Sequence, residues 1–198
     1  MSALFFVLGI PLLGGLALAF YGHRLWARDV NVAFSLGTFL AACFLTNHII
    51  DHGPELLWDR QFYIDPLNVF LVTLTAFVSL TTAIFSRPYM RVEQDHGKMT
   101  PPRMRLYHSM YQLFSFTMLL GFTTNNLGII WVAMEAATLT TVLLVSVYRT
   151  SASLEAAWKY FILCGVGIAQ ALFGTILLYM AADKVLGAEH ATLLWTSL

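Results

Sequence analysis

The chain has 198 residues, 58% of them hydrophobic and only 11% charged. A soluble domain carries about 25% charged residues, so this chain cannot clothe a globular surface in water, and a water-soluble enzyme or binding module is excluded. Lys and Arg total 11 and Asp and Glu total 11; the cancellation leaves no overall charge to recruit nucleic acid or an acidic partner, and the chain is expected to be an integral membrane protein.

A transmembrane helix needs about 20 mostly apolar residues, and six stretches qualify. The first covers residues 3–22. It lacks a basic leading segment and a small-residue cleavage site, so it reads as a retained span rather than a signal peptide. Pro11 should kink it, and Gly9, Gly14 and Gly15 allow close helix contact. The second span covers residues 30–50 and the third residues 66–86. No charge occurs between Arg105 and Glu135, a run too long for one span. Asn125-Asn126 inside it is a turn signal, which cuts it into a fourth span at residues 107–124 and a fifth at 127–148. The sixth runs over residues 153–182, with Ser153 as the expected N-cap and Glu155 suited to the first turn by the helix dipole. The expected fold is therefore an all-α, polytopic transmembrane helical bundle.

Lys and Arg in the connections set orientation. Nine of them (Arg24, Arg28, Arg87, Arg91, Lys98, Arg103, Arg105, Arg149 and Lys159) fall in or beside the loops after spans one, three and five; only Arg60 and Lys184 fall on the other side. The N-terminus is accordingly expected outside. The loop at residues 51–65 is acidic and outside. The stretch 87–105, with Pro88, Pro101 and Pro102, is expected to be a long irregular cytoplasmic loop. The chain divides into residues 1–106, a three-helix region with that loop, and residues 107–198, holding three spans.

Chemistry concentrates on few residues. Cys43 and Cys164 lie far apart in apolar runs, and no C-x-x-C or Cys/His cluster exists, so no metal site or redox cofactor is expected. His48 and His52 are four residues apart; they could hold a metal, but an interfacial pair needs no further ligand. Glu135 lies roughly 12 Å from the start of span five, close to the bilayer centre. A charged acid there costs on the order of 2.5–3.5 kcal/mol. The cost falls if the carboxyl takes up a proton or meets a cation, and either makes it a group that can load and release a proton. Thr138 and Ser146 fall on the same helical face as Glu135, a thin polar stripe suited to a hydrated path. Lys159 lies two turns into span six, with Gln170 further along its face. Glu155 stands four residues before Lys159, so an ordinary surface pair is the competing arrangement. His108, near the start of span four, could relay protons inward or simply end a span.

The run NNLGIIWVAMEAATLTTVLLVSVYRTSASLEAAWKYFILCGVGIAQALFGTILLYMAA (125–182) and the segment YIDPLNVFLVTLTAFVSLTTAIFSRPYM (63–90) resemble the proton-translocating antiporter-like subunits of respiratory complex I, of Mrp-type cation/proton antiporters and of membrane-bound nickel–iron hydrogenases. The likeness extends in particular to component F of hydrogenase-4 and its formate hydrogenlyase relatives. The resemblance implies a multi-pass helical subunit of a bacterial or archaeal inner or plasma membrane, without redox groups of its own. Its implied partners are lipid and the other membrane subunits of a hydrogenase or complex I-like assembly. Glu135 matches the family's key glutamate on its fifth helix, and Lys159 a basic position at the start of the sixth. Members of the family are longer, with two inverted repeats and a lysine on a seventh helix as the glutamate's partner. The chain therefore reads as their N-terminal six-helix portion, with residues 107–198 the incomplete start of the first repeat. A truncated, non-transporting scaffold and a sodium/proton antiporter subunit are the alternative readings.

Overall fold

The computed structural model describes residues 2–24, 26–186 and 192–197. Its helices are α1 (Ser2–Tyr21), α2 (Ala27–His52), α3 (Pro66–Asp95), α4 (Pro101–Thr123), α5 (Leu127–Val145) and α6 (Ser151–Leu186). A short antiparallel ribbon, β1 (Glu55–Leu57) and β2 (Phe62–Ile64), lies between α2 and α3, with Leu56 opposite Tyr63. Among the described residues, five helices are long and apolar enough to cross a membrane. The exception is α4, whose sequence PPRMRLYHSMYQL carries Arg103, Arg105, His108, Ser109 and Gln112.

Local chemistry sets the boundaries. Asp65 caps α3 by accepting the Asn68 N–H at 2.7 Å, and Pro66 occupies the first helical position, where a missing N–H costs nothing. Asn126 caps α5, accepting the Gly128 N–H at 2.8 Å. The expected Ser153 cap is corrected by one turn. Helix α6 starts at Ser151, and Thr150 and Ser153 exchange bonds: the Ser153 N–H donates to Thr150 Oγ1 at 3.1 Å and the Thr150 N–H to Ser153 Oγ at 3.0 Å. This reciprocal pair is a capping box, with Ser153 in its third position.

The long irregular loop expected at residues 87–105 is also corrected. Helix α3 continues through Pro88 to Asp95, and α4 begins at Pro101, so only residues 96–100 form the turn. Pro88 deletes the hydrogen bond to the Ile84 carbonyl, but tertiary packing holds the extension in place. Met90 is buried in a cluster with Met99, Met104 and Val147. The helix stops where Gly97 takes φ +72° and the Lys98 and Met99 N–H groups fold back on the Glu93 carbonyl. Pro101 and Pro102 then fall where a helix start tolerates them.

Helix α4 is the hub, packed against α1 on one side and α5 on the other; α2 packs against both α1 and α3. Helix α6 packs on α5 and the 3-10 turn Ser146–Tyr148 that precedes it. Helices α1 to α4 thus form one packed cluster that crosses the boundary drawn at residue 106. At the ribbon end its core is Val7, Ala42, Leu45, Ile49, Ile64, Val72 and Leu119. The same end gathers the α4–α5 turn and residues 193–196: the Trp195 N–H donates to the Asn125 carbonyl at 2.8 Å, and Phe62 bridges to Thr124. The opposite end gathers the turns that carry the arginines, with Arg87 Nε 2.5 Å from Asp29 Oδ1.

Candidate functional site

Glu135 lies on α5, roughly 12 Å along the helix from Leu127. The neighbouring turns show how α5 is seated. Ala133 and Ala137 are buried on the face toward α4, where a methyl group on Gly121 would come within 3.7 Å of Ala133 Cβ. On the other side the Trp131 indole N–H donates to the Ile168 carbonyl of α6 at 2.9 Å. Small residues on one face and an anchored indole on the other fix the rotation of α5, and Glu135 is left half-buried between them. Among the described residues its carboxylate has no ion pair and no hydrogen-bonded partner on the protein.

The companions picked out from sequence are distributed as follows. Thr138 is buried one turn from Glu135, with its hydroxyl donating to the Met134 carbonyl at 3.0 Å. Ser146 lies where α5 tightens into the 3-10 turn; its hydroxyl donates to the Leu143 carbonyl at 3.2 Å. It borders an apolar cavity of about 420 Å³ between α5 and α6, walled by Leu139, Val142, Leu154, Trp158 and Phe161. Lys159 is exposed and pairs with Glu155 at 2.5 Å, the i, i+4 surface arrangement. Gln170 is exposed on α6. His108 is on α4, buried inside the α1–α4 cluster. No hydrogen bond or ion pair joins any of these residues to Glu135 among the described residues. His48 Nε2 meets Glu55 Oε1 of β1 at 3.0 Å, and His52 Nδ1 contacts the His48 carbonyl oxygen at 3.0 Å, so the histidine pair fastens α2 to the ribbon.

Sequence reasoning missed a polar seam between α2 and α4. Gln112 is fully buried, and its Nε2 donates to the Asn31 carbonyl (3.0 Å), Asn31 Oδ1 (2.9 Å) and Ser35 Oγ (3.0 Å). Nearby, Ser109 donates to the Gly15 carbonyl of α1 at 2.8 Å, and Ser79 Oγ meets Ser115 Oγ at 2.8 Å between α3 and α4. The available signal was the helical spacing of Arg28, Asn31, Ser35 and Thr38 on α2, and of His108, Gln112 and Ser115 on α4.

A bundle of long apolar helices with an acid in the middle of α5 is the architecture of a membrane protein. Residues 124–191, from the α4–α5 turn through α6, match the family described as NADH:quinone oxidoreductase/Mrp antiporter, TM. Over 192 residues it is 43% identical to the hydrogenase-4 component F homolog of Methylacidiphilum infernorum, a match taking in 97% of this chain and 39% of that protein. It is 32% identical over 119 residues to NADH-quinone oxidoreductase subunit N 1 of Opitutus terrae (60% of this chain, 21% of that protein). With subunit N 2 of Aquifex aeolicus it shares 29% identity over 129 residues (63% and 24%). The chain thus spans about two fifths of the first relative's length and less of the others.

Proposed function

We propose that the chain is part of a membrane subunit of a proton-translocating oxidoreductase complex of the hydrogenase-4 or NADH dehydrogenase type, and that it contributes part of a proton channel. The observation that carries this reading is Glu135, an acid in the middle of α5 within the family-matching segment and without a protein partner among the described residues. A carboxylate in that place is a functional group by default, because its desolvation would otherwise be selected against. Glu135 loads and releases a proton as nearby charge rearranges, and Lys159 biases its occupancy from the α6 side. Thr138, Ser146, Gln170 and His108 are the further polar positions of the path. All six helices, α4 included, cross the membrane. The N-terminus faces outside, because the arginine-bearing turns belong on the cytoplasmic side. The partners are the complex's other membrane subunits, which deliver redox energy through a soluble arm.

The test is proton flux per assembled complex in vesicles carrying Glu135→Gln in the full-length subunit. The expected result is loss of most of the flux at normal complex yield. Unchanged flux sinks the reading. A second reading, a non-transporting scaffold, is favoured by the engagement of Lys159 with Glu155 at the surface. It predicts the opposite split, with lower yield and unchanged flux per complex.

A further inference from the structure

Buried polar groups are almost always hydrogen-bonded to protein or ordered water. Among the described residues, four polar atoms of the α2–α4 seam have no protein partner: Arg28 Nη1, both ring nitrogens of His108, and Gln112 Oε1. These are not surface groups; the three residues are 8%, 1% and 0% exposed, so bulk solvent does not reach the unpaired atoms. Their placement follows from the helices. Helices α2 and α4 both run from the arginine-bearing end toward the ribbon end. The three bonds from Gln112 set their register, with Gln112 opposite Asn31 and Ser35. One turn earlier, Arg28 on α2 faces His108 on α4.

We infer that this seam is a binding site for a small cluster of water molecules, seated between Arg28, His108 and Gln112. The donor set selects water. Arg28 brings only N–H donors and a fixed positive charge, which repels a metal ion or sodium. Gln112 Oε1 brings only an acceptor, which disfavours an anion. His108 has a nitrogen for each role. Water donates and accepts, makes about three hydrogen bonds at such sites, and solvates a guanidinium that has no carboxylate beside it. Beyond Gln112 the interior closes over Leu45, Ile49, Val72 and Leu119, all at most 3% exposed. The site shares His108 with the polar positions proposed above and does not involve Glu135.

Radiolytic hydroxyl-radical footprinting of the intact, membrane-embedded complex tests it, because radicals formed at bound water label adjacent buried side chains. His108 is expected to be labelled despite its burial, and the labelling is expected to be lost in Gln112→Leu. Should that variant fail to accumulate, Arg28→Met serves the same purpose with little change of volume. An unlabelled His108 in the unaltered complex, or labelling that persists unchanged in the substituted one, overturns the inference. Glu135→Gln is expected to leave His108 labelling as it was, which keeps failure of this site distinct from failure of the channel reading.

Discussion

The Trp131 indole N–H on α5 donates to the Ile168 carbonyl on α6 at 2.9 Å, a side-chain bond that ties the acid-bearing helix to its outer neighbour. Helix α6 otherwise presents large apolar side chains such as Leu163, Phe173 and Val185 outward. The bond fixes how far α6 can slide along α5, because an indole reaches only one carbonyl from a given rotamer. In Trp131→Phe the ring is kept and the donor removed. The expected cost is about 0.5–1.5 kcal/mol, read as faster hydrogen exchange across the middle of α6 in detergent.

Lys159 and Glu155 pair on an exposed face, with side chains 70% and 65% accessible, so the pair contributes little to stability. Glu155→Gln is expected to leave the melting temperature of the subunit unchanged and to free the ammonium. If Lys159 biases proton loading at Glu135, Lys159→Gln slows proton flux while Glu155→Gln leaves it unchanged or faster. Equal flux in both variants removes Lys159 from the mechanism.

Asn125 is 3% exposed and serves three segments at once. Its Nδ2 donates to the Arg60 carbonyl and to Thr196 Oγ1, each at 2.8 Å, and its own carbonyl accepts from Trp195. In Asn125→Ala the Arg60 carbonyl and Thr196 lose their donor, at a cost of about 1–3 kcal/mol for the groups left unpaired. Limited proteolysis is expected to cut residues 192–197 more readily, with the helices unaffected.

Gly22 closes α1 against the backbone of α4. A Cβ there would stand 3.0 Å from Arg105 Cα and would collide with the Leu18 carbonyl oxygen. Backbone cannot give way as a side-chain tip does. Gly22→Ala is therefore expected to destabilise the α1–α4 contact by about 1–3 kcal/mol, seen as a lower thermal midpoint. Gly9→Ala, which meets nothing within 4 Å, serves as the neutral control.

The six helices were legible because lipid imposes long apolar runs and because Asp65-Pro66 and Asn125-Asn126 punctuate them with capping chemistry. What the sequence hid were the places where packing overrode a local signal. Pro88 reads as a breaker, yet Met90 has apolar partners across the turn and α3 goes on. The ribbon was concealed in an acidic stretch whose short strands pair only because Phe62 and Ile64 reach the core. For the site, Glu135 stood out as an acid in an apolar run. The α2–α4 seam did not, because Arg28 was read as a topology signal and Asn31 and Ser35 are isolated polar residues in an apolar span. Only their meeting with Gln112 across two helices makes them a set.

The lengths of α5 and α6 differ in a way that concerns the bilayer. Helix α5, at 19 residues, is about 28 Å long and matches a hydrocarbon core of about 30 Å. Helix α6, at 36 residues, is about 54 Å long and overshoots that thickness even when steeply tilted. If the excess falls at its start, the first two turns, up to Lys159, stand in the headgroup layer, where an ammonium is solvated by lipid phosphates as readily as by Glu155. Membrane thickness then becomes a control on this helix pair. A thicker bilayer draws Lys159 toward the hydrocarbon, and a thinner one leaves it among the headgroups, while the Trp131–Ile168 bond holds its separation from Glu135.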